Sequence, residues 1–166
     1  MAVTDDLAKI AVQEKKLVLP LMDNEVAWRI GMRLRELALS RNHPVVIDVR
    51  RFGQLLFYNA LAGGTPNNTE WIRRKQNVVA RFLRSSYAVG LEMRHQKTTL
   101  AERHGVSASE YAANGGCFPL TVASAGIVGM ATISGLTERE DHELVVEALC
   151  LETGQEYSSL RLPPEG

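Results

Sequence analysis

A lysine stands in an apolar stripe. Trp71, Lys75, Val78 and Phe82 recur at the spacing of one helix face, whereas Arg73, Asn77, Arg81 and Arg84 fall on a more polar one. A cation so placed has three outlets. It can snorkel past Trp71 to water, pair with a buried acid such as Asp48, or reach into a cavity and present its charge to an anionic ligand or a neighbouring subunit.

A second constellation comes from a hairpin. Residues 118–123 and 127–134 read as strands turning at Ser124-Ala125-Gly126. With Ala125-Gly126 as the loop, Cys117 faces Ser134 and Gly116 faces Gly135; with a loop one residue longer, Gly115 faces Gly135. Either register sets Gly115-Gly116 beside Ser134-Gly135 at one end of the sheet, where missing side chains leave space. Thr137 and Glu140 then form a capping box opening the next helix. Its free N–H groups and positive dipole end lie close, making a pocket suited to a carboxylate or phosphate. The competing reading is that Gly115-Gly116 is merely a loop entering a strand. Cys117 shares the ambiguity: nearby backbone donors would lower its pKa, or it is a small buried core residue.

The remaining reactive types are scattered. His43 precedes Pro44 in a loop, His95 and His104 flank an ambiguous segment, and His142 lies early in an acidic helix. No pair has metal-ligand spacing, so a metal site is not expected. There is no G-x-S-x-G, no Walker loop and no G-x-G-x-x-G, and no acid/base pair can be assembled from the sequence.

The elements that must hold these residues follow from periodicity. Helical patterns cover residues 6–16, the stretch from a cap at Asp23 or Asn24 to about Asn42, a segment from about Thr69 to Ser85 capped by Asn68 or Thr69, and a helix from the Thr137 box to about Thr153, closed by Gly154. Residues 17–20 read as a short strand or link. Residues 45–49 and 54–60 are strands about an Arg50-to-Gly53 turn. Tyr87, Val89, Leu91 and Met93 alternate like a strand, yet also fit a helix kinked at Gly90. Short helical pieces are expected at 98–104 and 107–114. The tail from Leu162 is expected to fray or dock on a neighbour. Two hairpins with helices between and after them make an α+β domain, an antiparallel sheet covered by helices.

Bulk properties narrow the classes. At 166 residues the chain suits one domain with a sizeable core. Nineteen basic residues balance nineteen acidic ones, which argues against a partner in nucleic acid or an anionic membrane surface. The two cysteines, Cys117 and Cys150, suggest no disulfide framework. The acidic start and the lack of a long apolar run point to a cytoplasmic protein with reduced thiols.

Several separated motifs, in order over residues 5–155, resemble one family. They are Val46-Ile47-Asp48-Val49 before a Gly-containing turn, Lys75 followed by Val78-Val79-Ala80, Gly115-Gly116-Cys117-Phe118-Pro119-Leu120, and the run from Ile127 to Gly135 with Glu140-Asp141 beyond. Together they resemble the haem-degrading-domain family of HbpS-like and GlcG-like proteins. The Thr-Pro-Asn-Asn and Trp-Ile-Arg-Arg-Lys segments are similar to its uncharacterised UPF-type branch. The resemblance implies a profilin-like three-layer α/β/α fold and a homo-oligomer built from dimers. It also implies that the family's Lys corresponds to Lys75, its Gly-Gly-x-x-Pro loop to Gly115, Gly116 and Pro119, and its Ser-Gly to Ser134 and Gly135, with haem as the leading ligand; Cys117, singled out by its own neighbours, completes the candidate ligand-binding set. Relatives carry Arg and Asp near the end of the second strand, where this chain has Asn59-Ala60-Leu61-Ala62-Gly63.

Three functions follow as expectations. The first is an oligomeric module binding a small anionic molecule, haem included, with an axial ligand drawn from His95, His104, Met93 or Cys117. The second is a haem-degrading or small-molecule-modifying enzyme. The third is an oligomeric scaffold for other proteins.

Overall fold

The structure is a computed structural model that describes residues 2–165; Met1 and Gly166, the outermost residue of the tail, lie outside them. The elements are α1 (Ala2–Lys16), β1 (Val18–Leu19), α2 (Asn24–Ser40), β2 (Val46–Arg51), β3 (Gln54–Ala60), α3 (Pro66–Phe82), α4 (Ser86–His95), α5 (Leu100–His104), β4 (Cys117–Val122), β5 (Gly126–Ser134), α6 (Glu138–Thr153) and α7 (Tyr157–Leu160).

The five strands form one sheet in the order β1-β4-β5-β2-β3. All neighbours are antiparallel except β1, which runs parallel to β4. Strand alternation sorts the side chains by face. Ile47, Val49, Phe118, Leu120, Ala131 and Ile133 point into the main core beneath α2 and α6. Asp48, Cys117, Met130, Thr132 and Ser134 alternate with them and face α3. The result is the α/β/α layering expected from the family resemblance. One layer is apolar. The other carries a polar chain in which Asp48 holds Arg50 in a two-bond pair and accepts from Gln76 Nε2 at 2.9 Å.

Three expected details are corrected. The hairpin register is the first: Cys117 pairs with Thr132, not Ser134. Val122 pairs with Gly126 across the turn 123–125, and a bulge between Leu120 and Thr121 inserts one more residue on β5. The shift is even, so Cys117 keeps its face. Second, the Lys75 helix starts at Pro66, not Thr69. Pro66 occupies a first-turn position that needs no N–H, and Asn68 Oδ1 accepts from the Thr65 N–H at 2.9 Å. It stops at Phe82 because Leu83 turns left-handed, and Ser85 caps α4 instead. Third, residues 87–93 settle as helix, while 107–114 holds only a turn. Helix α4 is buried on nearly every side, which hides its helical period. Its Gly90 lies so close to the Ala113 carbonyl that a β-carbon would stand 1.9 Å away.

Candidate functional site

Lys75 is enclosed: its side chain is 4% exposed. The ammonium donates to the Ile133 carbonyl at 3.1 Å and to Asp141 Oδ2 at 3.1 Å. The buried acid is therefore Asp141 of α6 and not Asp48, which is committed to Arg50 and Gln76. Helix α3 and the first turn of α6 lie on opposite faces of the sheet, and they meet around the end of β5.

Asp141 is also held by the chain entering its own helix. Its Oδ1 accepts from the Leu136 N–H at 3.0 Å. Burial pushes its carboxyl above the ordinary range, while the Lys75 charge and the backbone donors pull against that rise. The Thr137 N–H is taken by Glu140 Oε2, and the Glu140 N–H by Thr137 Oγ1. With Glu138, Glu140 and Asp141 in its first turn, the helix end is already met by the protein's own carboxylates. The expected free helix terminus is thus largely occupied.

The glycines also act differently from expectation. They admit neighbours instead of leaving a void. A β-carbon on Gly115 would stand 2.1 Å from the Glu138 carbonyl oxygen. On Gly116 it would meet the Ile133 oxygen at 2.4 Å and Lys75 Nζ at 2.7 Å, and the φ of +137° further favours glycine. On Gly135 it would meet the Pro44 oxygen at 2.5 Å. Gly116 is therefore the floor under the Lys75 ammonium.

Beside this pair lies a cavity of about 250 Å³, lined by Lys75, Asp141, Ser134 and Gly135 together with Asn68, Trp71, Asn114, Leu136 and Glu138. Lys75, Ser134 and Gly135 come together there as lining residues. Gly115 and Gly116 sit behind the wall, and Cys117 lies deeper, with no exposed surface. Cys117 Sγ accepts from Thr132 Oγ1 at 3.2 Å, and burial pushes its thiol up to about 12, against the lowering that nearby donors suggested. Both cysteines are free and buried.

Six further lining residues, Asn68, Trp71, Asn114, Leu136, Glu138 and Asp141, were not expected at a ligand. Trp71 was visible as the stripe neighbour of Lys75. Asn114 carried no signal, and Asp141 stood out only within the Glu140-Asp141 motif, because a loop and a helix distant in sequence bring them in. The histidines stay away. His95 and His104 are exposed, and His104 packs on Phe82 at 4.8 Å between ring centroids. His142 is buried between Tyr87 and Phe118, with Nε2 2.8 Å from Gln13 Oε1. Among the described residues, no group of three His, Cys, Asp or Glu could hold a metal ion, and no helix is long and apolar enough to cross a membrane.

Comparison with known proteins agrees with this architecture. A UPF0303 protein of Burkholderia thailandensis is 58% identical over 162 residues, covering 98% of each chain. The crystal structure of the Ybr137w protein superposes with a TM-score of 0.83 at 28% identity, over 89% of this chain and 87% of that one. The crystal structure of a PduOC–heme complex superposes at 0.65 with 15% identity, over 78% and 93%, a likeness of fold. The family model described as haem degrading protein HbpS-like matches residues 22–150. On that match the chain belongs to the HbpS-like haem-degrading protein family.

Proposed function

We propose that this protein is a homo-oligomeric module that binds a small anionic organic molecule at the Lys75 cavity. One observation carries the reading. A lysine ammonium has three N–H donors, and Lys75 gives one to Ile133 and one to Asp141 while lining an open cavity. The third donor is held at a fixed point by a buried ion pair and a glycine floor, which is how a pre-formed site presents charge. Ser134, whose hydroxyl accepts weakly from Asn68 Nδ2 at 3.5 Å, offers a second donor on the same wall.

Haem, the ligand to which the family name points, is less well served by these residues. Of the axial ligands expected from the sequence, Cys117 is sealed off and neither His95 nor His104 lines the Lys75 cavity or the one adjoining it. Met93, which lines the adjoining cavity, is the one that remains.

Self-association is supported by the edge of the sheet. Strand β3 has one free side, and Leu55 and Tyr58 on it are about half exposed, as is nearby Trp28, which stacks edge-on against Phe57 at 4.9 Å.

Native mass spectrometry, mild then denaturing, with an absorbance spectrum of the same sample, tests the reading. An oligomer that retains a small acid, and loses it in Lys75→Ala where that variant is still folded and oligomeric, is the expected result. An oligomer free of small molecules, which takes up neither small acids nor added haem, refutes it.

A further inference from the structure

A second cavity, of about 460 Å³, adjoins the Lys75 cavity, and the two share Trp71 and Asn114 as common wall. It opens between α3, α4, α5 and the segment before β4. Its walls are largely apolar: Met93, Leu100, Val106 and Tyr111 face it along with Trp71. An apolar or aromatic body placed there leaves water for a surface that matches it.

The charges around the joined cavities do not cancel. Lys75 is paired with Asp141, and Arg94 is held by both oxygens of Glu138 at 2.7 and 2.8 Å. Among the described residues Arg74 forms no ion pair, and the nearby Glu70 is bonded to Arg73 instead. Its guanidinium lies over the Trp71 ring at 4.2 Å, and Nη1 donates to the Ala108 carbonyl at 3.1 Å. Among the cations and acids lining the two cavities, one positive charge is therefore left over, beside the shared wall. At that wall neither the Asn114 carboxamide nor the Trp71 indole N–H makes a hydrogen bond to any of the described residues. Donors without partners and one unbalanced cation gather where the apolar chamber meets the polar one.

We propose that the two cavities form one bipartite site for an aryl carboxylate: a monoanion whose flat apolar body fills the larger chamber. Its carboxylate lies at the shared wall, facing the third Lys75 donor. Arg74 supplies the balancing charge and Asn114 a further hydrogen bond. Trp71 is the partition that both halves touch. This rests on the reading that the Lys75 cavity takes a small anion, and it adds the body of the ligand.

The test uses the full chain, labelled with ¹⁵N, and the indole N–H resonances of its two tryptophans, assigned with Trp28→Phe. The probes are 2-naphthoate, neutral 2-naphthamide and acetate. The expected result is a saturable shift of the Trp71 resonance with 2-naphthoate while Trp28 stays still. Naphthamide should bind about tenfold more weakly, the scale of one charge-assisted hydrogen bond, and acetate more weakly still. Arg74→Gln, at a half-buried position that should fold normally, should remove most of the preference for naphthoate over naphthamide. If acetate binds as tightly as naphthoate, the bipartite site is overturned while the small-anion reading stands. If naphthoate binds without moving Trp71, or with its preference intact in Arg74→Gln, the bipartite site is likewise overturned. If no probe binds, both readings fall.

Discussion

The ammonium of Lys75 and the carboxylate of Asp141 meet at 3.1 Å with each side chain less than 5% exposed, joining α3 to α6 past the end of β5. A pair this deep has given up its hydration on both sides, and its value depends on staying complete. Lys75→Met or Asp141→Leu alone should destabilise the fold by about 3–5 kcal/mol, because each leaves a buried partner uncompensated. The double replacement Lys75→Met, Asp141→Leu should recover much of that loss. Urea unfolding of the four proteins reads the coupling directly. Additive losses would mean that the two groups act independently.

The same pair makes anion binding depend on pH. The Asp141 carboxyl titrates above its ordinary 3.8, chiefly because it is buried. When it takes up a proton it stops balancing Lys75, so affinity for an anionic ligand should rise as pH falls through the Asp141 range. Calorimetric titration with 2-naphthalenesulfonate, an anion that stays ionised at acidic pH, checks the sign. In Asp141→Asn the dependence should vanish.

His142 controls the acid limit. Burial, with the charge of Arg139 adding to it, pushes its imidazole down from 6.5 to about 3. Nε2 is engaged with Gln13 and Nδ1 has no partner among the described residues, which therefore offer no acceptor for a second ring proton. The unfolded chain binds a proton below pH 6.5 that the folded chain refuses. Stability present above 6.5 should therefore be lost as pH falls toward 3, at about 1.4 kcal/mol per pH unit. The raised Asp141 carboxyl acts in the opposite sense, adding stability below 3.8 that is lost as pH rises through its folded value. Urea midpoints from pH 7 to 4 should fall in the native chain and flatten in His142→Gln, whatever that variant's absolute stability.

Gly115 and Gly105 offer a contrast between two kinds of glycine. Gly115→Ala drives a β-carbon into the Glu138 carbonyl at 2.1 Å, backbone against backbone, so the start of α6 must move. The expected cost is at least about 2–3 kcal/mol, with a measurable loss at the adjoining Lys75–Asp141 pair. Gly105 caps α5 with φ of +68° and open space around it. Gly105→Ala should cost only the left-handed penalty, about 1–2 kcal/mol. Thermal melts of the two variants side by side settle the ranking.

Neither cysteine should behave as a nucleophile. Burial pushes the Cys117 thiol up to about 12 and Cys150 up to about 11. A thiol-specific chromogenic reagent at pH 8 should find neither group in the folded protein and both in denaturant. Rapid labelling of Cys117 in the native state would contradict its burial.

Much of this protein can be read from local sequence, and the reason is physical. The Thr137–Glu140 capping box, the β-branched run before Asp48 and the Ile127-to-Ser134 strand each depend on neighbours a few residues away, so their elements are legible without the fold. The lysine in the stripe with Trp71, Val78 and Phe82 was legible as an anomaly for the same reason, since helical spacing alone places it on the buried face. What that lysine meets depends on chain closure. Asp141 lies sixty-six residues further on, and only the packing of α6 past the end of β5 brings it to Nζ. Asp48, a plausible acid by composition, is consumed two residues away by Arg50. The glycines show the same division. Their presence at the end of the hairpin was plain, but whether they leave space or admit a neighbour depends on the register, and one bulge with one turn residue set that. The second chamber, with Arg74 over Trp71 and Asn114 at the seam, has no local signature at all. It exists because α4, α5 and the loop before β4 converge on α3, and only the tertiary structure decides that convergence.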